Sequence, residues 1–293
     1  MRTHLNPALS STVFALLLAP AGAAVAEEGS ADAADTAGAP APTGAEGKAE
    51  EAEEGGLGLN IDLGFATAYL WRGANLFMTE AQGDQNMMLA PGVTYTLGES
   101  GLWVGWWSAW QVSGSGIQEY IDAGTGAEQD LMVGYSHELS DSLGLAAGLT
   151  WYFYPLAEKE AAGTSTPSYL EPNVGLRWAG PLELGLTVAY YHGLQEELSA
   201  YRHLYLNPSA GRSFALGERV ELQTNLGFGY KVFNEGEVED NIYDVLLKVA
   251  LPISLPADLY ATPSLLLAWT NLGGSDFADE LSYALGINVG ADL

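Results

Sequence analysis

The sequence contains no cysteine, which excludes disulfides, thiolate metal sites and lipidation on an N-terminal cysteine. Bases are scarce as well. Lys plus Arg number 10 against 37 Asp plus Glu, a formal charge of −27. With no basic face to neutralise phosphates, nucleic acid is not an expected partner. Long apolar runs are also missing. Residues 13–19 (VFALLLA) are far shorter than the roughly 20 residues a spanning helix needs, so any insertion into a membrane must be by strands. No phosphate loop, dinucleotide fingerprint, zinc-binding helix motif or G-x-S-x-G elbow occurs. No cofactor, metal or catalytic residue is therefore expected, and the chain is not read as an enzyme.

What remains is rich in glycine (36), tyrosine (15) and tryptophan (8), and its mean hydropathy is slightly positive, +0.06, despite the charge. That combination suits strands, tight turns and aromatic belts at a membrane surface. The N-terminal 26 residues read as a secretory signal. Arg2 and His4 precede the short apolar core, and Ala24-Val25-Ala26 fits the cleavage rule. Residues 27–56 are Ala, Gly, Pro and Glu with one base, Lys48. They are expected to form a disordered acidic tether.

The barrel is expected over 57–293. Its opening, LGLNIDLGFATAYLWRG, places Leu57, Leu59, Ile61, Leu63, Phe65, Tyr69 and Trp71 on one parity. Asn60, Asp62 and Arg72 fall on the other. A period of two sends these sets to opposite faces of a strand. A long strand with one greasy and one polar face suits lipid outside and a polar lumen inside. Twelve such runs are expected, near 57–71, 87–97, 102–112, 129–138, 143–153, 169–178, 182–192, 203–214, 220–232, 241–251, 258–270 and 280–293. The connections between them alternate long and short. Barrels of the outer membrane have short periplasmic turns and longer external loops. The pattern thus predicts a twelve-stranded antiparallel transmembrane β-barrel with both termini periplasmic.

Aromatic residues gather near strand ends and are expected to form two interfacial girdles: Tyr69, Trp71, Trp103, Trp106, Trp107, Trp110, Trp151, Tyr152, Phe153, Tyr154, Trp178, Tyr190, Tyr191 and Trp269. The run LWVGWWSAWQV is apolar on both faces, which leaves its in/out register open. The lumen is expected to hold Asp62, Arg72, Asp130, Glu171, Arg177, Glu221, Lys231, Asp244 and Lys248, with Asn60, Glu138, Asn173, His203, Asn225 and Asn288. These pack the interior as charge pairs or, around an open path, set selectivity. Acids such as Glu80, Asp84, Glu119, Glu128, Glu158, Glu196, Glu235 and Asp276 fall in the long loops. A negative mouth concentrates cations, so small cationic or neutral solutes are the expected cargo. The acidic run 235–240 reads as a solvated loop, with a divalent ion as the alternative. A non-conducting structural or adhesion barrel, binding divalent ions, lipopolysaccharide or a partner, is the other reading. A lipid hydrolase built on His137, His192 or His203 with Ser136, Ser199 or Ser209 has no motif behind it.

Residues 64–75 (GFATAYLWRGAN) carry a Tyr-x-x-Arg-Gly strand end at Tyr69, Arg72 and Gly73. With GLWVGWW, EQDLMVGY and WYFYP further on, the chain resembles a family of outer-membrane porins of undefined role, sometimes labelled TorF-like. The resemblance implies a barrel among outer-membrane lipid and lipopolysaccharide, delivered by the barrel-assembly machinery, with no established active site. Many such barrels end in Phe. This chain ends Ala291-Asp292-Leu293, keeping an apolar residue at the terminal position.

Overall fold

The computed structural model describes residues 58–77, 86–113, 128–155, 168–195, 198, 202–233, 242–271 and 281–293. The expected signal, the tether and most of the expected loop acids lie outside these residues, as do Ser199 and the run 235–240. Twelve long strands follow one another: β1 Leu59–Ala66, β2 Met88–Thr96, β3 Leu102–Gln111, β4 Glu128–Ser140, β5 Leu143–Phe153, β6 Ser168–Trp178, β7 Glu183–Gly193, β8 His203–Ala215, β9 Glu221–Phe233, β10 Ile242–Ala250, β11 Leu259–Thr270 and β12 Leu281–Asp292. Each pairs antiparallel with its neighbours in sequence, and β12 returns to β1 in the register Asn60↔Asp292 to Ala66↔Gly286. The sheet is closed, so no edge is left unpaired. A two-residue strand, Ile253–Ser254, thickens the β10–β11 turn. Among the described residues the helical structure is 3-10 only, at Gly98–Ser100 in the β2–β3 connection and at Leu198, and no helix is long and apolar enough to cross a membrane.

The period of two decides which face each residue takes. On β9, Leu226 is 52% exposed on the outside, while its neighbour Asn225 is 5% exposed in the lumen. The outer face is a belt of Leu, Ile, Val and aromatic side chains drawn from all twelve strands. Water-soluble monomers rarely show apolar patches beyond a few hundred Å², whereas a belt of this extent is what lipid covers. Trp110, Trp151, Trp178 and Trp269 stand on that belt, as the girdle reading expects. On β3 the open register resolves with Trp106 and Trp110 outward and Trp103 and Trp107 inward. Those last two, with Tyr69, Trp71, Tyr152, Tyr154 and Tyr191, belong to the interior and not to a girdle.

The first strand departs from expectation. It ends at Ala66, not Trp71. Thr67 still donates its N–H to Leu285 O (2.9 Å), and the chain then turns into the barrel. Its alternation lapses there, because Ala66, Ala68 and Leu70 are apolar on the parity that faces the lumen. Nothing polar holds that stretch in the wall.

Candidate functional site

Residues 68–77 form a hairpin inside the lumen. Leu70–Trp71 pairs with Ala74–Asn75, and Leu76 donates its N–H to Tyr69 O at 2.8 Å. The two residues at the tip, Arg72 and Gly73, both have positive φ (48° and 81°), as two-residue hairpins of the primed turn types require. Arginine in that region is strained by about 1–3 kcal/mol, so its surroundings must hold it there. Gly73 admits no substitute. A Cβ there would lie 2.7 Å from Asp244 Cβ and 2.9 Å from Thr270 Cβ.

Two apolar contacts seat the hairpin. Tyr69 and Phe77 pack with Met88, Trp103, Trp107 and Met132, and the Tyr69 ring lies 5.2 Å from Phe77 and 5.8 Å from Trp107. Ala68 and Leu70 pack with Leu246, Ala268 and Ala284 across the lumen. Asn86 closes the base by donating to Phe77 O.

The tip is pinned by charge. Arg72 Nη2 donates to Glu171 Oε2 at 2.6 Å, and both side chains are buried. Its Nη1 donates to His203 Nε2 at 3.3 Å, which places the imidazole proton on Nδ1. The guanidinium stacks 4.1 Å above the Tyr205 ring and 4.5 Å from Trp71. Lys231 Nζ donates to Arg72 O at 3.0 Å. Tyr152 donates to the other oxygen of Glu171 (3.2 Å), and Tyr205 donates to Asp244 (3.2 Å). A buried charge is tolerated when it is paired and hydrogen-bonded, as Arg72 and Glu171 are. Among the described residues, Lys231 and Asp244 are held by one hydrogen bond each, with Asp244 Oδ2 left without a partner. Four expected lumen residues, Arg72, Glu171, Lys231 and Asp244, thus meet around one hairpin tip.

Beside them lie two acids on one parity of β4. Glu128 accepts from Tyr69 (2.8 Å) and Tyr154 (3.2 Å), and Asp130 is fully buried two residues on. Glu128 is therefore not an external-loop acid, because β4 begins one residue earlier than the alternation expects. Tyrosines extend this wall, with Tyr169 stacked on Tyr191 at 4.5 Å and Tyr152 at 5.7 Å from Tyr191.

The remaining expected residues sit toward the short-turn end. Asp62 is buried there. Asn60 donates to Tyr260 and to Asp292. Arg177 approaches Glu138 at 3.7 Å, and Glu221 accepts from Gln223 at 3.1 Å. Lys248 is half-buried. Glu183, also on the inner face and buried, is not among the expected lumen residues, although it lies in the expected run 182–192 on the parity opposite Leu182, Leu184 and Leu186. His137 points outward, stacked on Tyr135, whereas Ser136 points in. Neighbours in a strand cannot form a catalytic pair across the wall.

Residues 49–251 match the family model described as "Bacterial protein of unknown function (Gcw_chp)". The chain belongs to the Gcw_chp family. No curated protein matches it. Among solved structures, the COG4313 outer-membrane channel from Pseudomonas putida F1 is similar over 84% of this Gcw_chp chain and 99% of that one, with 9% identity and a TM-score of 0.53. The NanC porin (14% identity, 80% and 100% covered, TM-score 0.48) and the KdgM porin (11%, 78% and 97%, 0.46) also match. Identities this low speak to fold alone, and that fold is the closed outer-membrane barrel. The expected antiparallel barrel is thus shown, whereas the TorF label finds no support among these matches.

Proposed function

We propose that this Gcw_chp protein sits in the outer membrane of a Gram-negative bacterium, termini in the periplasm, as a porin-like channel for small cationic or neutral solutes. The hairpin is its narrowest point. One observation carries the reading: a lumen lined by charged and amide side chains within an apolar outer belt, with acids prevailing at the hairpin. Glu128, Asp130, Glu171 and Asp244 surround Arg72 and Lys231 there. Acid rings favour cations in channels. Lipid and lipopolysaccharide surround such a barrel, and the assembly machinery inserts it. No catalytic step belongs to this reading.

Single-channel recording of the refolded protein in a planar bilayer under a KCl gradient tests it. Discrete steps with a reversal potential on the cation side are expected. Steps of equal potassium and chloride permeability at low salt contradict the selectivity. A folded barrel giving no steps contradicts the channel. That outcome promotes the second reading, a non-conducting structural barrel, which the burial of so many inward side chains around the hairpin favours.

A further inference from the structure

The inner face of β4 and β5 carries acceptors that the hairpin leaves unsatisfied. Asp130 is fully buried and neither carboxylate oxygen accepts from a donor among the described residues; its side chain touches the Glu128 carboxyl, which is itself an acceptor. That carboxyl is already taken by Tyr69 and Tyr154. The Thr150 hydroxyl, equally buried, has no partner either. It belongs to no acidic cluster and points to the same place independently. Asp130 is paired with Tyr152, two residues from Thr150 on the same face, and Thr150 is itself paired with Glu171.

Diagonal neighbours on one face lie about 7–8 Å apart, with their Cβ atoms somewhat closer. Side chains reaching toward each other across that span leave a gap that one bridging nitrogen closes with two N–H···O bonds of about 2.9 Å. The charge asks for a cation, since Glu128, Asp130 and Glu171 face Arg72, which is committed to Glu171. A buried carboxylate without a partner is strongly unfavourable. Among the described residues, no three His, Asp or Glu side chains are placed to share a metal ion, so a compact multi-carboxylate metal centre is not what the geometry offers.

We infer that Asp130 and Thr150 bind the ammonium group of a small primary organic cation. Such a group has three donors and no acceptor, matching the two Asp130 oxygens and the Thr150 hydroxyl. Its alkyl part meets the rings of Tyr69 and Tyr152, whose faces attract the charge. Tyr69 covers the acids from the hairpin side, so an entering cation displaces the Tyr69–Glu128 contact. This names the solute class of the channel proposed above. Transit rests on that reading, whereas binding rests on the geometry alone.

The probe is methylammonium chloride titrated into the refolded protein by calorimetry, with tetramethylammonium, which has no N–H, and potassium as controls at equal ionic strength. Saturable methylammonium binding is expected, weakened tenfold or more in D130N and in the near-isosteric T150V, with little from either control. Both variants should keep the heat-dependent gel shift of a folded barrel, because each alters a polar group that accepts from no donor residue. Binding that is absent from the unmutated protein, unchanged in the two variants, or equal for tetramethylammonium would overturn the site and leave water as its occupant. Conductance recorded on the same preparation separates the two proposals. Binding without current steps overturns the channel alone, and steps without binding overturn the site alone.

Discussion

The two sides of the lumen are built from different materials. The arc formed by β2, β3 and β4 presents Met88, Ala90, Trp103, Trp107, Ala109 and Met132 to the hairpin. Across from it, β6, β8, β9 and β10 present Glu171, His203, Tyr205, Lys231 and Asp244. The first arc attracts without direction, since apolar burial is proportional to area and indifferent to angle. The second is directional, because a guanidinium, an imidazole and an ammonium each accept only certain geometries. The apolar arc, with Leu246, Ala268 and Ala284 of β10 to β12 against the hairpin's other flank, holds the hairpin in the lumen, and the polar side chains set where its tip points. A plug that must stay inside yet sit in one register needs both.

That division of labour can be broken from the polar side. Glu171→Ala leaves Arg72 buried without its carboxylate, and stranding one partner of a buried pair costs about 3–5 kcal/mol. The expected result is a matching loss in urea unfolding of the refolded barrel. Replacing Arg72 and Glu171 together by apolar residues of similar volume should restore most of it, because removing both charges leaves neither stranded. A double variant as unstable as the single one would mean that the pair does not act as a pair.

A smaller effect is expected at the tip. Gly73→Ala places a side chain at positive φ, at about 1–3 kcal/mol, against Cβ atoms of Asp244 and Thr270 that cannot swing aside. The loss in the same unfolding assay should reach about 2 kcal/mol or slightly more. Because the clash lies at Asp244 of β10 and Thr270 of β11, away from the apolar arc, the Trp107 environment, read by fluorescence, should hardly change. A Trp107 shift as large as the stability loss would show that the two arcs are not separable.

The barrel itself was legible because lipid and lumen impose opposite polarity on alternate residues, so β5, β9 and β12 state their own register. The lumen set was legible for the same reason, since Asp130, Glu171 and Lys231 lie on the polar parity of clear strands. The hairpin was not. Tyr69 and Trp71 continue the outward series of Phe65 past Thr67, and beyond the lapse in alternation at Ala66, Ala68 and Leu70 only the Arg72-Gly73 turn departs from strand chemistry. The two-sided apolarity of LWVGWWSAWQV was the visible footprint of the plug. Trp103 and Trp107 are apolar on the lumen side because Tyr69 and Phe77 need a surface to pack on. A strand greasy on both faces in a barrel otherwise polar inside marks where something sits within.

Single-channel conductance with and without the hairpin tests most directly whether it narrows the lumen. A variant in which residues 68–77 are replaced by a short Gly-Ser linker should insert, close its barrel and conduct several-fold more than the unaltered protein, with weaker discrimination between potassium and chloride. Equal conductance and selectivity in the two proteins would contradict the account, since the hairpin could then not lie across the path.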